Sequence, residues 1–144
     1  MARFTHTIDA KGRVFVPARL RDSLGASLIV TFSLDDGYLS AYTPENFRLI
    51  RDQINQLSGT DPAVRRLKRD IIGEAMPCDL DSQGRISVSE ELWSHISTRP
   101  GDEVCFIDMF DKLDICSKAF YEKQKEEQGS LSGVDLSRFD VKGI

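Results

Sequence analysis

Ile8-Asp9-Ala10-Lys11-Gly12-Arg13-Val14-Phe15-Val16 recurs 72 residues later as Leu80-Asp81-Ser82-Gln83-Gly84-Arg85-Ile86-Ser87-Val88. Asp, Gly, Arg and the flanking aliphatic residues keep their places. Downstream the correspondence continues with small insertions: Leu20 answers Leu92, residues 28–32 answer 104–108, and Tyr42-Thr43 answers Cys116-Ser117. A self-similarity of this period means one folded unit of roughly 70 residues written twice, and it sets the architecture before any single residue does.

Around the first copy, Phe4, His6 and Ile8 alternate with Thr5 and Thr7, the period of a strand running into the D-x-x-G-R turn. Val14-Phe15-Val16 resumes an extended run, so strand, turn and strand predict a tight reversal. Pro17 opens a short helix carrying Leu20 and Leu24, and Gly25 stops it. Residues 28–32 and 38–42 read as strands joined through Asp35-Asp36-Gly37. Thr43, with Pro44 behind it, caps a helix on which Phe47, Ile50, Ile54 and Leu57 recur at helical spacing. Between the copies, Thr60 or Asp61 caps a second helix bearing Val64, Leu67 and Ile71 on one side and Arg65, Arg66, Lys68 and Arg69 on the others. In the second unit Ser89 caps a helix with Leu92, Trp93 and Ile96, a strand occupies 104–110, and another helix opens at Ser117. The expected units are residues 1–73 with the connecting helix, 74–128, and a loosely held tail over 129–144.

The turn has a structural use. An Asp that opens a turn accepts hydrogen bonds from backbone N–H groups two or three residues on, and Gly12 or Gly84 takes the positive φ that such a reversal requires. Arg13 either pairs with Asp9 and locks the turn or projects outward toward phosphates or a guanine edge.

Of the 144 residues 40% are hydrophobic and 29% charged, which excludes disorder and disulfide scaffolds and leaves enough apolar side chains for a core. The longest uncharged stretch, 23–34, is 12 residues against the about 20 that a membrane-spanning helix needs. Cys78, Cys105 and Cys116 cannot all pair within one chain and read as free thiols; with charges preceding any apolar run at the start, a cytoplasmic address is expected. Net charge is −4 but uneven. Residues 1–73 hold eleven Lys or Arg against eight Asp or Glu, residues 74–144 eight against fifteen, and within the first 21 Arg3, Lys11, Arg13, Arg19 and Arg21 face only Asp9. Such a stretch on an acidic protein suits a phosphate backbone as partner.

The paired turns at 9–13 and 81–85, the His6-Thr7-Ile8 lead-in, the Val16-Pro17 exit and the Cys78-x-Leu80 approach to the second copy resemble the MraZ family of bacterial transcriptional regulators over about residues 1–125. The resemblance implies an α+β fold: a pseudo-twofold swapped-hairpin β-barrel of two tandem AbrB-like repeats with peripheral helices. It also implies a ring-shaped homo-oligomer that binds tandem DNA repeats upstream of the division and cell-wall gene cluster containing its own gene. In that family the turn Arg contacts DNA, which carries to Arg13 and Arg85. One departure stands out. Where the family commonly follows the second motif with proline and a basic residue, this chain has Ser89, Glu90 and Glu91.

The expected function is therefore sequence-specific double-stranded DNA binding by a repressor on the nucleoid. Arg13 reads a base edge, Lys11, Arg19 and Arg21 meet phosphates, Arg3 and Arg85 are further candidate DNA contacts, and Asp9, Gly12, Asp81 and Gly84 hold the turns. Because Gln83, Glu90 and Glu91 stand near Arg85 in sequence, the first turn is expected to carry recognition and the second mostly structure. The competing class is a ring-forming interaction scaffold or antitoxin-like adaptor without DNA selectivity. An enzyme is not expected: His6 and His95 have no Cys or His at ligand spacing, no metal or cofactor is implied, and no phosphate-cradling glycine loop occurs.

Overall fold

Short polar residues placed just ahead of apolar periods set the helix boundaries. The Oγ1 of Thr43 accepts from the Asn46 N–H, the carboxylate of Asp61 from the Ala63 N–H, and the hydroxyls of Ser89 and Ser117 from the N–H groups of Leu92 and Phe120. The computed structural model describes residues 2–144. In the first repeat it contains strands β1 (Arg3–Thr7) and β2 (Arg13–Phe15), helix α1 (Ala18–Leu24), strands β3 (Ser27–Phe32) and β4 (Leu39–Tyr42), and helices α2 (Pro44–Asn55) and α3 (Pro62–Leu67). α3 runs on into one π-helical turn, Lys68–Gly73, where the sequence predicts a single regular helix. The second repeat supplies β5 (Met76–Asp79), β6 (Arg85–Ser87), α4 (Glu90–His95), β7 (Glu103–Asp108), β8 (Leu113–Ser117) and α5 (Lys118–Gln128).

All ladders are antiparallel. One sheet has the order β1-β7-β8-β4-β3-β5, and a second contains only β2 and β6. Exchanging each strand of one repeat with its counterpart in the other reverses the six-strand order onto itself, so a pseudo-twofold axis passes between β8 and β4. The two repeats interlock across that axis: Phe4 pairs with Phe106, Leu28 with Cys78, and Val14 with Ile86.

The turns reverse the chain tightly, as the sequence predicts, with the Asp9 N–H on the Arg13 carbonyl and the Asp81 N–H on the Arg85 carbonyl, but they do not close hairpins. The strands flanking each D-x-x-G-R turn do not pair with one another; β1 and β5 join the large sheet while β2 and β6 pair across the axis. Among the described residues the strands form two sheets with β1 and β5 as edges, rather than one closed ladder. Ile8, Val14, Val16, Ile86, Val88 and Trp93 from the turn regions pack with Leu28, Val30, Val104, Phe106 and Ile115 into one core that both repeats share. Burial of that shared core is the main stabilising contribution, and neither repeat has it alone. No helix among the described residues is long and apolar enough to cross a membrane.

Candidate nucleic-acid interface

Each D-x-x-G-R turn is closed by its own aspartate. Asp9 Oδ1 accepts from the N–H groups of Lys11 at 2.9 Å and Arg13 at 2.8 Å, while Oδ2 accepts from Arg13 Nε at 2.7 Å. The backbone closes as well, with the Gly12 N–H donating to the Asp9 carbonyl and the Asp9 N–H to the Arg13 carbonyl. Asp81 repeats the pattern with Gln83 and Arg85 at 2.9, 2.9 and 2.8 Å. The glycines take φ of 79° and 80°, a left-handed conformation in which any side chain would be strained. Burial pushes the Asp9 carboxyl up, but the hydrogen bonds from Arg13 and Lys11 together with the Arg13 charge outweigh it and hold the group below its ordinary value. For Asp81 the Arg85 backbone hydrogen bond leads in the same direction.

The two arginines are therefore part of the lock and not free arms. Arg13 commits only Nε, so its two terminal amino groups keep no protein partner among the described residues. Fixing Nε on a carboxylate removes rotamer freedom and leaves the two terminal nitrogens of this partly exposed side chain as a planar edge, the geometry that suits a guanine or a phosphate. Arg85 is more enclosed, at 18% side-chain exposure against 28% for Arg13, because its Nη1 also lies 4.0 Å from Asp9 Oδ2 and its guanidinium stands 5.9 Å over the Phe15 ring.

Interlocking joins the turns. The Val16 N–H donates to the Gly84 carbonyl, the Val88 N–H to the Gly12 carbonyl, and the buried Trp93 indole N–H to the same Gly12 oxygen at 2.9 Å. Consequently α4 sits beside the first turn and α1 beside the second. Glu90 shares a cavity of about 340 Å³ with Lys11 and Gly12, whereas the Arg21 guanidinium occupies the space where a Cβ on Gly84 would stand. Charge around each turn thereby draws on the other repeat: Glu90 and Arg99 share the cavity at the first turn, and Arg21 of α1 lies by the second. Arg21 Nε is buried with no hydrogen-bond partner among the described residues.

The other expected contacts are dispersed. Lys11 is exposed at the first turn. Arg19 is exposed on α1 and acts electrostatically on Asp108 at the end of β7. Arg3 opens β1, five residues before Ile8 enters the turn, and lies 4.6 Å over the Tyr121 ring of α5. No group of three His, Cys, Asp or Glu that would hold a metal occurs among the described residues.

A family model described as "MraZ protein, putative antitoxin-like" matches residues 1–70 and again 71–141, one match per repeat. The chain belongs to the MraZ family. The transcriptional regulator MraZ of Lachnoclostridium phytofermentans is 37% identical over 141 residues, covering 98% of this chain and 97% of that protein. Those of Pediococcus pentosaceus and a Thermoanaerobacter species are 32% and 34% identical over 88% and 85% of this chain, and 87% and 84% of theirs. Membership in MraZ makes the chain a transcription regulator and not an enzyme. What sequence reading missed was the closure between repeats, namely Trp93 on Gly12, Arg21 on Gly84 and Arg85 over Phe15. No local signal carries it, because each contact crosses the repeat boundary.

Proposed function

We propose that this MraZ chain binds double-stranded DNA sequence-specifically, as a ring-shaped homo-oligomer on tandem promoter repeats. In this reading it represses the division and cell-wall gene cluster containing its own gene, and acts in the cytoplasm on the nucleoid. One observation carries the proposal: two preorganised D-x-x-G-R turns stand side by side, with the terminal nitrogens of Arg13 uncommitted. Lys11 and Arg21 extend the basic surface on either side, and neither has a carboxylate partner among the described residues. Arg13 reads a base edge, Arg85 supports it from the second turn, and Lys11 and Arg21 meet phosphates. Arg19 contributes a peripheral phosphate contact, and Arg3, held on Tyr121, the weakest. Neither a cofactor nor a small-molecule substrate enters the reading. One pair of turns per chain binds weakly, and a ring multiplies that affinity through effective concentration on successive repeats.

The test is binding to the duplex upstream of the chain's own gene, with an unrelated duplex as control, across a salt series. Selective binding whose log K falls by about 0.9 per neutralised phosphate with log salt is expected. Equal affinity for both duplexes, or a flat salt response, would leave the scaffold or antitoxin-like adaptor as the function.

A further inference from the structure

The two repeats differ beyond their last sheet-packed helix. In the first, α2 ends at Gln56 in the right-handed helical conformation, and the chain turns back through Asp61, whose N–H donates to the Ser58 carbonyl. α3 and its π-helical turn then lay Leu67, Ile71 and Ile72 against Phe47, Ile50 and Ile54. The Thr31 hydroxyl donates to the Ile71 carbonyl at 2.6 Å and pins that turn to β3. In the second repeat Tyr121, Gln124 and Gln128 stand at the same intervals from their cap Ser117 as Phe47, Ile50 and Ile54 do from Thr43. Among the described residues no helix covers them as α3 covers α2: the Arg3 guanidinium of β1 stands over the Tyr121 ring, and the Gln128 side-chain amide donates to Gln124 Oε1. With Tyr38, Ile107, Met109, Lys125 and Asp114, whose carboxylate is paired with Lys112 at 3.3 Å, they line an open groove of about 220 Å³.

The missing cover is present in the sequence. Ser58-Gly59-Thr60-Asp61 leads into α3, and Ser132-Gly133-Val134-Asp135 comes after α5. Asp61 accepts from the Ala63 N–H at 2.9 Å, and Asp135 accepts from the Ser137 N–H at 2.9 Å, so both segments begin with the same local contact, although only Asp61 opens a helix. The family match to the second repeat extends to residue 141, which takes in residues 134–141 of this segment. Val134, Leu136, Phe139, Val141 and Ile144 lie along it, and all five side chains are exposed. An apolar segment of this kind in water marks an interaction surface.

We propose that the groove beside α5 receives the C-terminal segment, residues 134–144, of a second copy of this chain. The second copy is preferred to the chain's own tail because α5 ends differently from α2. Gly129 has φ 68° and ψ −152°, an extended left-handed exit, where Gln56 stays helical and turns the chain back. Each copy thus offers one apolar segment and one open groove, a head-to-tail contact that a rotation closes into a ring. Leu136, Phe139 and Val141 then take the place that Leu67, Ile71 and Ile72 hold in the first repeat, and Lys125 at the groove meets Asp135 or Asp140 of the incoming tail.

The inference rests on the homo-oligomer proposed above, and its test separates the two. Mass photometry or sedimentation is run on the full chain and on a chain ending at Gly133, at equal concentration. A labelled peptide of residues 129–144 is titrated onto the truncated chain and onto its Gln124→Trp variant, which fills the groove. Truncation is expected to raise the dissociation concentration of the assembly by about 100-fold or more, as loss of central apolar anchors does. The peptide is expected to bind the truncated chain saturably and to fail on Gln124→Trp. Truncation that lowers thermal stability without changing the assembled mass means that the tail packs on its own chain, and overturns the proposal. So does a peptide that does not bind, or that binds Gln124→Trp equally well. A full chain that is monomeric removes the oligomer reading and second-copy occupancy with it, whereas an assembly whose mass survives truncation overturns the groove contact alone.

Discussion

Replacing Trp93 with phenylalanine tests the interlocking of the repeats at its centre. The indole is 1% exposed, and its N–H donates to the Gly12 carbonyl at 2.9 Å, tying α4 of one repeat to the turn of the other. The lost hydrogen bond costs about 1 kcal/mol net, and not more, because the same carbonyl keeps the Val88 N–H at 3.3 Å and is not left bare. The smaller ring leaves a gap beside Gly12 and Val88 worth about 1–2 kcal/mol. The total, about 2–3 kcal/mol, corresponds to roughly 4–12 °C in Tm for a chain of this size. Urea unfolding followed by far-ultraviolet circular dichroism at fixed chain concentration measures it, and the slope m should not change. Both repeats should be lost in one transition, since each contributes strands to the other's ladders. A loss below about 1 kcal/mol would refute the role of the indole contact. A two-step transition in which half the structure survives would refute the shared core.

The turns and the thiols give further measurable outcomes. Gly84→Ala places a methyl group at φ 80° on the Arg21 guanidinium, and should destabilise by about 1–2 kcal/mol in thermal melts while displacing Arg21. Asp9 and Asp81 have folded values below the ordinary carboxylate value, so they stabilise the fold above that value, and this contribution is lost as pH falls through the depressed ones. Carboxyl titration by NMR should find both groups titrating below the same residues in the unfolded chain, and Arg13→Ala should raise the Asp9 value. Arg13→Ala should weaken duplex binding by roughly 1–3 kcal/mol per site, and Arg21→Ala should weaken it measurably too; an Arg21 variant that binds like the parent would remove Arg21 from the phosphate contacts. Burial raises Cys78 to about 11 and Cys116 to about 12, so both thiols should resist a thiol reagent at about pH 8 in the folded chain and react once urea unfolds it.

The parts legible in the sequence were those decided within a few residues. Asp9, Gly12 and Arg13 close a turn by contacts spanning at most four positions, and the caps at Thr43, Asp61, Ser89 and Ser117 reach no further than three. The repeat was legible because each copy carries that turn. The pairing partners were not. β1 runs through a tight turn into β2, and local chemistry favours a hairpin between them, yet both strands find partners in the other repeat because only there does the apolar face formed by Ile8, Val14 and Val16 become covered. Charge around the turns is likewise set across the repeats, since Glu90 shares a cavity with Lys11 of the first turn and Arg21 lies against Gly84 of the second.

Strand exchange also governs when the chain can fold. Arg3 pairs with Ile107 and Thr7 with Glu103, so the first strand made has no ladder until nearly three-quarters of the polypeptide exists. At roughly 5–20 residues per second of synthesis, the interval between β1 and β7 lasts about 5–20 s. Through it Phe4, Ile8, Val14 and Phe15 wait beside an unpaired edge, and two nascent copies on one messenger could pair with each other instead. The alternating Thr5, His6 and Thr7 and the charges at Arg3, Asp9, Lys11 and Arg13 keep that waiting segment soluble, so the polarity of these residues protects the unfinished chain as well as serving the finished one.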